Sequence, residues 1–354
     1  MSRFLKPVAA AAGALALATS LSACAGAAAS AGSDAKEITV YSADGLKSDD
    51  GTGFYDKVFK DFTARTGIRV NYVEGGSGEV VQRLLRERSN TQADVVVTLP
   101  PFIQQADQRG LLAAYHPAGA ERVATADKAA DGTWNAVIDN YLCFIYNKQQ
   151  LSAPPKTWQD LLSAKYRNKL QYSTPGVAGD GTAVLIKAIH DFGGLKPATD
   201  FLGRLQANNV GPSSSTGQLA PKVDKGELLV ANGDVQMNYA DMATMPHQGI
   251  FFLAGADGRP STFALPYAAG LVRNAPHKAN AEKFLDFLLS DQVQQEAGSI
   301  AGGFPARTDV RPNDANAARL KQIMTGVEVF TPDWTEVDAD LQKYVDAWQQ
   351  ATGS

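Results

Sequence analysis

The chain has 354 residues, 44% of them hydrophobic and 20% charged, which predicts about two domains and excludes intrinsic disorder. A mean hydropathy of −0.19 excludes a polytopic membrane protein. Lys and Arg (33) against Asp and Glu (37) give a net charge of −4, with no basic excess for nucleic acid, and two cysteines cannot make a disulfide scaffold.

The first residues, Met1 to Lys6, include Arg3 and Lys6 and precede an Ala- and Leu-rich run from Val8 to Leu21. A basic start followed by a short apolar core predicts a secretion signal over residues 1–23, too short for a comfortable membrane span. The run ends in Leu21-Ser22-Ala23-Cys24, which resembles the lipobox of bacterial lipoproteins. The resemblance implies acylation of Cys24 and a membrane-anchored, extracytoplasmic protein. Residues 24–36 then read as the lipidated cysteine and a flexible tether, being small, polar and aperiodic. Losing residues 1–23 removes two basic residues and no acid, so the mature net charge becomes −6. Cys143 is left without a partner in an apolar strand-like run and reads as a small buried hydrophobe.

Glu37–Ser42 predicts a strand, and Phe54, Val58, Phe59 and Phe62 recur at helical spacing. Ile68–Val73 is again strand-like, Val80, Val81, Leu84 and Leu85 stripe a helix, and Ala93–Leu99 reads as a strand buried on both faces. This alternation predicts βαβ units and a mainly parallel sheet. Further strands are expected at Tyr141–Tyr146, Leu170–Ser173, Leu228–Ala231 and Ala264–Val272. Helices are expected at Thr182–Phe192, Pro197–Gln206, Ala279–Glu296, Ala315–Thr325 and Thr335–Gln349.

Open α/β sheets bind ligands beyond the carboxyl ends of their strands, and here those loops are small and polar. They include Ser42 to Gly45, Glu74 to Gly78, Thr98 to Pro101, Ser173 to Thr182 and Gly211 to Gly217. Two lead straight into helices, whose free N–H groups attract anions, and neighbouring hydroxyls add donors for phosphate-like oxygens. Glycine and serine also cap helices for local reasons, so one such loop means little and several converging loops predict a binding cleft. Catalytic patterns are poor. Glu79 stands where a nucleophile elbow needs glycine, no Walker motif occurs, and His116, His190, His247 and His277 lack metal-ligand spacing. An enzyme is not expected.

Several strings are similar to the 2-aminoethylphosphonate-binding proteins of phosphonate ABC importers. They are Val40-Tyr41-Ser42-Ala43-Asp44-Gly45, YVEGGSGEVVQRLLRERSNTQADVVVTLPPFIQ (72–104), NKLQYSTPGVAGDGTAV (168–184), LQANNVGPSSSTG (205–217), VANGDVQMN (230–238) and ALPYAAGLV (264–272). The resemblance implies an α/β type II periplasmic-binding-protein fold with two lobes, 37–135 with 266–354 and 136–265, the C-terminal helices partly spanning both. It implies capture of 2-aminoethylphosphonate by lobe closure and delivery to an ABC permease and ATPase, by a monomer without metal or cofactor. Ser77, Thr98, the Asp180-Gly181-Thr182-Ala183 helix start and Ser214, Ser215 and Thr216 would cradle the phosphonate, and Ser42 and Gly76 are further expected ligand-binding residues. Asp44, Asp180 and Asp234 are candidate partners of the ligand ammonium, and Tyr41 and Tyr267 candidate walls. Asn232 suits either end, and Asp180 suits helix capping as well as ammonium contact. A ferric-ion, polyamine or phosphate binder of the same superfamily, or a phosphonate or phosphate hydrolase, are the alternatives. Against iron, Asn238-Tyr239-Ala240-Asp241 carries one tyrosine where ferric binders have an adjacent pair.

Overall fold

A computed structural model describes residues 36–48 and 50–354. The expected signal, Cys24 and nearly all of the tether lie outside the described residues. In chain order the first elements are β1 (Glu37–Ala43), α1 (Phe54–Thr66), β2 (Arg69–Gly75), α2 (Ser77–Glu87), β3 (Val95–Thr98), α3 (Phe102–Gln108) and β4 (Leu112–Ala113). β5 (Trp134–Asp139), β6 (Leu142–Asn147), β7 (Leu170–Gln171), α4 (Gly179–Asp191), α5 (Leu195–Leu205), α6 (Leu219–Asp224) and β8 (Val230–Asp234) follow. Then come α7 (Val235–Asp241), β9 (Gln248–Phe251), β10 (Ser261–Phe263), β11 (Tyr267–Val272), α8 (Lys278–Leu288) and α9 (Asp291–Glu296). β12 (Phe304–Pro305), α10 (Ala315–Ile323), β13 (Glu328–Phe330) and α11 (Trp334–Thr352) complete the order.

Two main sheets organise the two lobes, and β10 and β13 pair in parallel apart from both. The larger runs β12-β5-β11-β3-β1-β2, with β4 also on β11, and the smaller runs β7-β8-β6-β9. β1 pairs in parallel with β2 and β3, as the βαβ reading requires. β11, however, is antiparallel to β3 and β5, so the sheet is mixed and not mainly parallel. The reason is topological: β11 re-enters the first lobe after the chain has traversed the second, and it enters from the opposite end. The chain crosses between lobes at residues 140–141 and again at 264–266, where Tyr141 bridges Ala264 and Leu265 N donates to Asn140 O at 2.8 Å.

Local sequence explains each element that frames the cleft. Phe54, Tyr55, Val58 and Phe62 put one face of α1 into the core, and Gly67 ends the helix at φ 71°, a left-handed turn that glycine adopts without strain. Every residue of β3 is buried because α2 and α3 cover one face and α1 and α8 the other. The expected helix Ala279–Glu296 is two helices, with Ser290 capping the second through Val293 N. α11 reaches both lobes: Leu341 and Val345 pack in the first, Tyr344 and Trp348 in the second. Trp348 Nε1 donates to Tyr172 Oη at 2.9 Å, which fixes α11 beside the loop that opens α4.

Candidate functional site

The carboxyl ends of β1, β2 and β3 in the first lobe face the loops before α4 and α6 in the second. Gly78 N donates to Val177 O across this seam at 2.9 Å. A Cβ on Gly76 would lie 2.8 Å from both Ser214 O and Val177 O, and one on Gly179 would lie 2.6 Å from Ser77 Oγ. Glycine is required at both places so that the amino ends of α2 and α4 can meet. First-turn N–H groups have no intrahelical acceptors, so apart from Gly78 N, taken by Val177 O, two sets of donors and two positive helix ends converge on one spot. Ser77 Oγ is buried there without a hydrogen-bond partner, and Thr98 Oγ1 donates to Ser77 O at 3.2 Å.

Three carboxyl groups share this seam. Asp180 and Asp234 are 3% and 0% exposed, while Asp44 stands nearer the mouth. Asp44 joins the lobes: Ser215 Oγ and Gly217 N, the latter at 3.1 Å, both donate to its Oδ2. Tyr267 Oη donates to Asp44 O at 2.8 Å and faces Asp234 Oδ2 at 3.4 Å. Asp234 caps α7 by accepting from Met237 N at 2.7 Å. Asp180 is different, because its Oδ1 is buried with no hydrogen-bond partner among the described residues.

Burial dominates the electrostatics. It pushes the Asp180 carboxyl well above the ordinary carboxylate range, and the charges of Asp234 and Asp44 add to that. Asp234 is pushed up to about 7 by burial, with the hydrogen bond from Met237 N and the nearby amide of Asn140 pulling the other way. Asp44 is also raised by burial, with the Ser215 and Gly217 donors pulling the other way. Both deep carboxyls can ionise together only if a cation lies between or beside them. Burial holds Tyr267 as a neutral phenol, and with Asp234 and Asp180 nearby it keeps the Cys143 thiol protonated. Cys143 is therefore no nucleophile.

The other expected site residues divide between seam and scaffold. Thr216 Oγ1 bonds Ser173 Oγ at 2.9 Å and faces Asp180. Ser214 is exposed at the mouth, a cavity of about 750 Å³ that also takes in Asp44, Gly76 and Ser215. Thr182 Oγ1 is spent within its own helix start, accepting from Gly176 N and donating to Ala178 O, both at 2.9 Å. Ala183 lies in the second core, and Gly181 packs under Ser173 O. Asn232 is committed to Ser173, accepting from its N at 2.8 Å. Ser42 Oγ donates to Ala43 O inside the strand at 2.8 Å. Tyr41 points to the opposite face, where its hydroxyl donates to Glu87 at 2.8 Å and Arg83 lies over its ring. Tyr239, the lone tyrosine of its motif, donates to Asn316 at 2.9 Å on α10.

Two residues at the seam carry no expectation from the sequence. Asn140, at the interlobe crossing, accepts from Tyr141 N and Gln236 N, and its Nδ2 is buried without a partner. Gly217 supplies the backbone donor to Asp44. A polar residue interrupting two apolar strand runs is the one signal that marks Asn140. Among the described residues no group of three or more His, Cys, Asp or Glu converges as a metal site.

The model for the bacterial extracellular solute-binding protein family matches residues 45–295. A putative 2-aminoethylphosphonate-binding periplasmic protein of Salmonella typhimurium is 46% identical over 317 residues, covering 90% of this chain and 93% of that one. Among solved structures, a periplasmic thiamin binding protein superposes with a TM-score of 0.77 at 20% identity, covering 89% of this chain and 96% of the other. The periplasmic binding protein P5PA gives 0.76 at 19% identity, covering 89% and 99%. These likenesses give the fold: it is the type II periplasmic-binding-protein fold.

The raised carboxyl of Asp234 has a consequence for stability. Its folded value of about 7 against an ordinary 3.8 means the folded chain keeps a proton that the unfolded chain releases. Its contribution is fully present below the ordinary value and is lost as pH rises through about 7. Asp234→Asn keeps the cap on α7 and removes the buried charge. The ligand-free variant should therefore gain more in melting temperature over wild type at pH 8 than at pH 5. An equal offset at both values would contradict the assignment.

Proposed function

The chain belongs to the bacterial extracellular solute-binding protein family, whose members are periplasmic binding proteins and not enzymes, and from that premise we propose that it captures 2-aminoethylphosphonate for an ABC importer. The observation that carries the reading is the orphaned, buried Oδ1 of Asp180 next to Asp234, at a place where two helix amino ends also converge. Such a site offers a cation partner and an oxyanion cradle within one short span. A zwitterion with an ammonium two carbons from a phosphonate satisfies both. The 46% identical relative named for 2-aminoethylphosphonate supports the same ligand.

In this reading Asp180 and Asp234 take the ammonium, and Tyr267 forms the wall beside them. Ser77 Oγ, Asn140 Nδ2, Thr98, Thr216 and the first-turn N–H groups of α2 and α4 take the phosphonate oxygens. Gly76, Gly181 and Ala183 shape the backbone that brings these groups together, and Asn232 holds Ser173 in place. Asp44 with Ser215 and Gly217 latches the lobes, 37–135 with 266–354 and 136–265, once the ligand is enclosed. Ser214 lines the entrance. Thr182, Ser42 and Tyr41 support the site through their own local bonds.

Closure acts by differential affinity: ligand groups from both lobes are satisfied together only in the closed form, so ligand shifts the population toward it. The closed form then docks on the permease and its ATPase. Among the described residues no helix is long and apolar enough to cross a membrane. The order Leu21-Ser22-Ala23-Cys24 supports anchoring of a monomer through an acylated Cys24. Mass spectrometry of the N-terminal peptide reads that modification directly, and an unacylated Cys24 would contradict it.

Calorimetry tests the ligand. 2-Aminoethylphosphonate should bind with micromolar affinity or better, and ethylphosphonate, lacking the amine, about 10- to 100-fold more weakly, as expected for losing a charged hydrogen-bond partner. Asp180→Asn should erase most of that discrimination. Equal binding of the two ligands, or tighter binding of ferric ion, a polyamine or inorganic phosphate, would overturn the reading.

A further inference from the structure

A second cavity, of about 400 Å³, lies at the interlobe crossing and is lined by Asp127, Asp139, Tyr141, Phe304, Arg311 and Lys321 among others. Asp139 is the last residue of β5 and pairs with Phe304 of β12, so it sits where the first sheet ends. Tyr141 is the first residue past the crossing and packs edge-to-face on Phe304 at 5.5 Å. α10 closes the other side, and its Leu320 packs into the core of the second lobe. The cavity therefore touches both lobes and the strand between them.

Its chemistry is divided into two ends. Asp127 and Asp139 line the same cavity, close enough for the charge of Asp127 to act on Asp139, and no ion pair engages either among the described residues. Oδ1 of Asp139 is buried without a hydrogen-bond partner. Burial, with the charge of Asp127, pushes the Asp139 carboxyl up to about 7, and no nearby cation offsets this. The Tyr141 hydroxyl faces the same two carboxyls. The one cation beside them in sequence, Lys128, is already spent on Ala120 O and Val123 O at 2.7 and 2.8 Å. Arg307 is likewise engaged by Asp309 and Asp291. Arg311 and Lys321 are exposed at the rim, and no ion pair engages them among the described residues.

Two carboxylates and one phenol fall short of the six to eight oxygens a calcium ion takes, and a magnesium ion demands a near-octahedral shell. An ammonium with three directed donors fits better, and the Phe304 and Tyr141 rings suit its carbon chain. We propose that this hinge cavity is a second binding site, for a short zwitterionic amine of the ω-amino acid class. Its ammonium sits between Asp127 and Asp139, and its anionic end points to Arg311 and Lys321. Because the walls belong to both lobes, an occupant biases closure from behind the cleft.

Calorimetric titration of the purified protein with 4-aminobutyrate, n-butylammonium and butyrate tests the site. 4-Aminobutyrate should bind about tenfold or more tightly than either singly charged analogue. Asp139→Asn should weaken it by a similar factor, and Lys321→Met, on the exposed rim, severalfold. If Asp139→Asn does not fold, Lys321→Met and Arg311→Ala decide the matter, since both side chains are exposed. No binding of 4-aminobutyrate, or binding left unchanged by the hinge variants, would overturn the proposal. In the second case the compound has entered the main cleft.

Discussion

Asp180 and Asp234 lie together out of water at the seam between two lobes, and among the described residues no Lys or Arg forms an ion pair with either of them. Desolvating one carboxylate is costly, and desolvating two side by side is more so, because each raises the other. A protein can tolerate this arrangement in two ways: the groups keep their protons, or a cation arrives. Burial favours the first in the free protein. The second is capture as we propose it, in which the ligand supplies the charge that the fold withholds.

The surrounding architecture serves that exchange. Gly76 and Gly179 remove the side chains that would hold the amino ends of α2 and α4 apart. The meeting of two helix ends gives the ligand's anion a donor-rich, locally positive surface inside a chain of net negative charge. In the proposed reading the anion and cation partners stand close together: Asp180 and Asp234 in the second lobe, Ser77 and Thr98 in the first, with the first turn of α4 beside both. Asp44 is spent on the second-lobe loop, which is why the proposed reading gives it to closure and not to recognition. The hinge repeats the theme at its own scale, with Asp139 left unpaired where the chain passes from one sheet to the other.

Much of this was legible in the sequence. Strand and helix periodicity marked most elements of both lobes, and the loops that meet at the seam stood out by their Gly, Ser and Asp content. The orientation of single side chains was not. Tyr41 lies in β1 where its alternating start gives way to a fully buried end, and Tyr267 sits in a strand buried on two faces, where no apolar–polar alternation tells which face a residue takes. One turned to α2 and the other to the cleft. Asp180 was equally suited to capping, yet Ala178 holds the N-cap position and the capping role falls to Asp234 on another helix. Thr182 matched the donor pattern, but its hydroxyl closes its own turn. The antiparallel return of β11 depends on a crossing 120 residues and more down the chain, which local pattern does not carry.

The structure of the complex with 2-aminoethylphosphonate tests the central claim most directly. The account predicts the ligand nitrogen within hydrogen-bond distance, about 2.7–2.9 Å, of carboxylate oxygens of Asp180 and Asp234. Its phosphonate oxygens should lie against Ser77 Oγ and the first turns of α2 and α4. A ligand seated the other way round, with the phosphonate beside the two carboxyls and the amine at the helix ends, would contradict it.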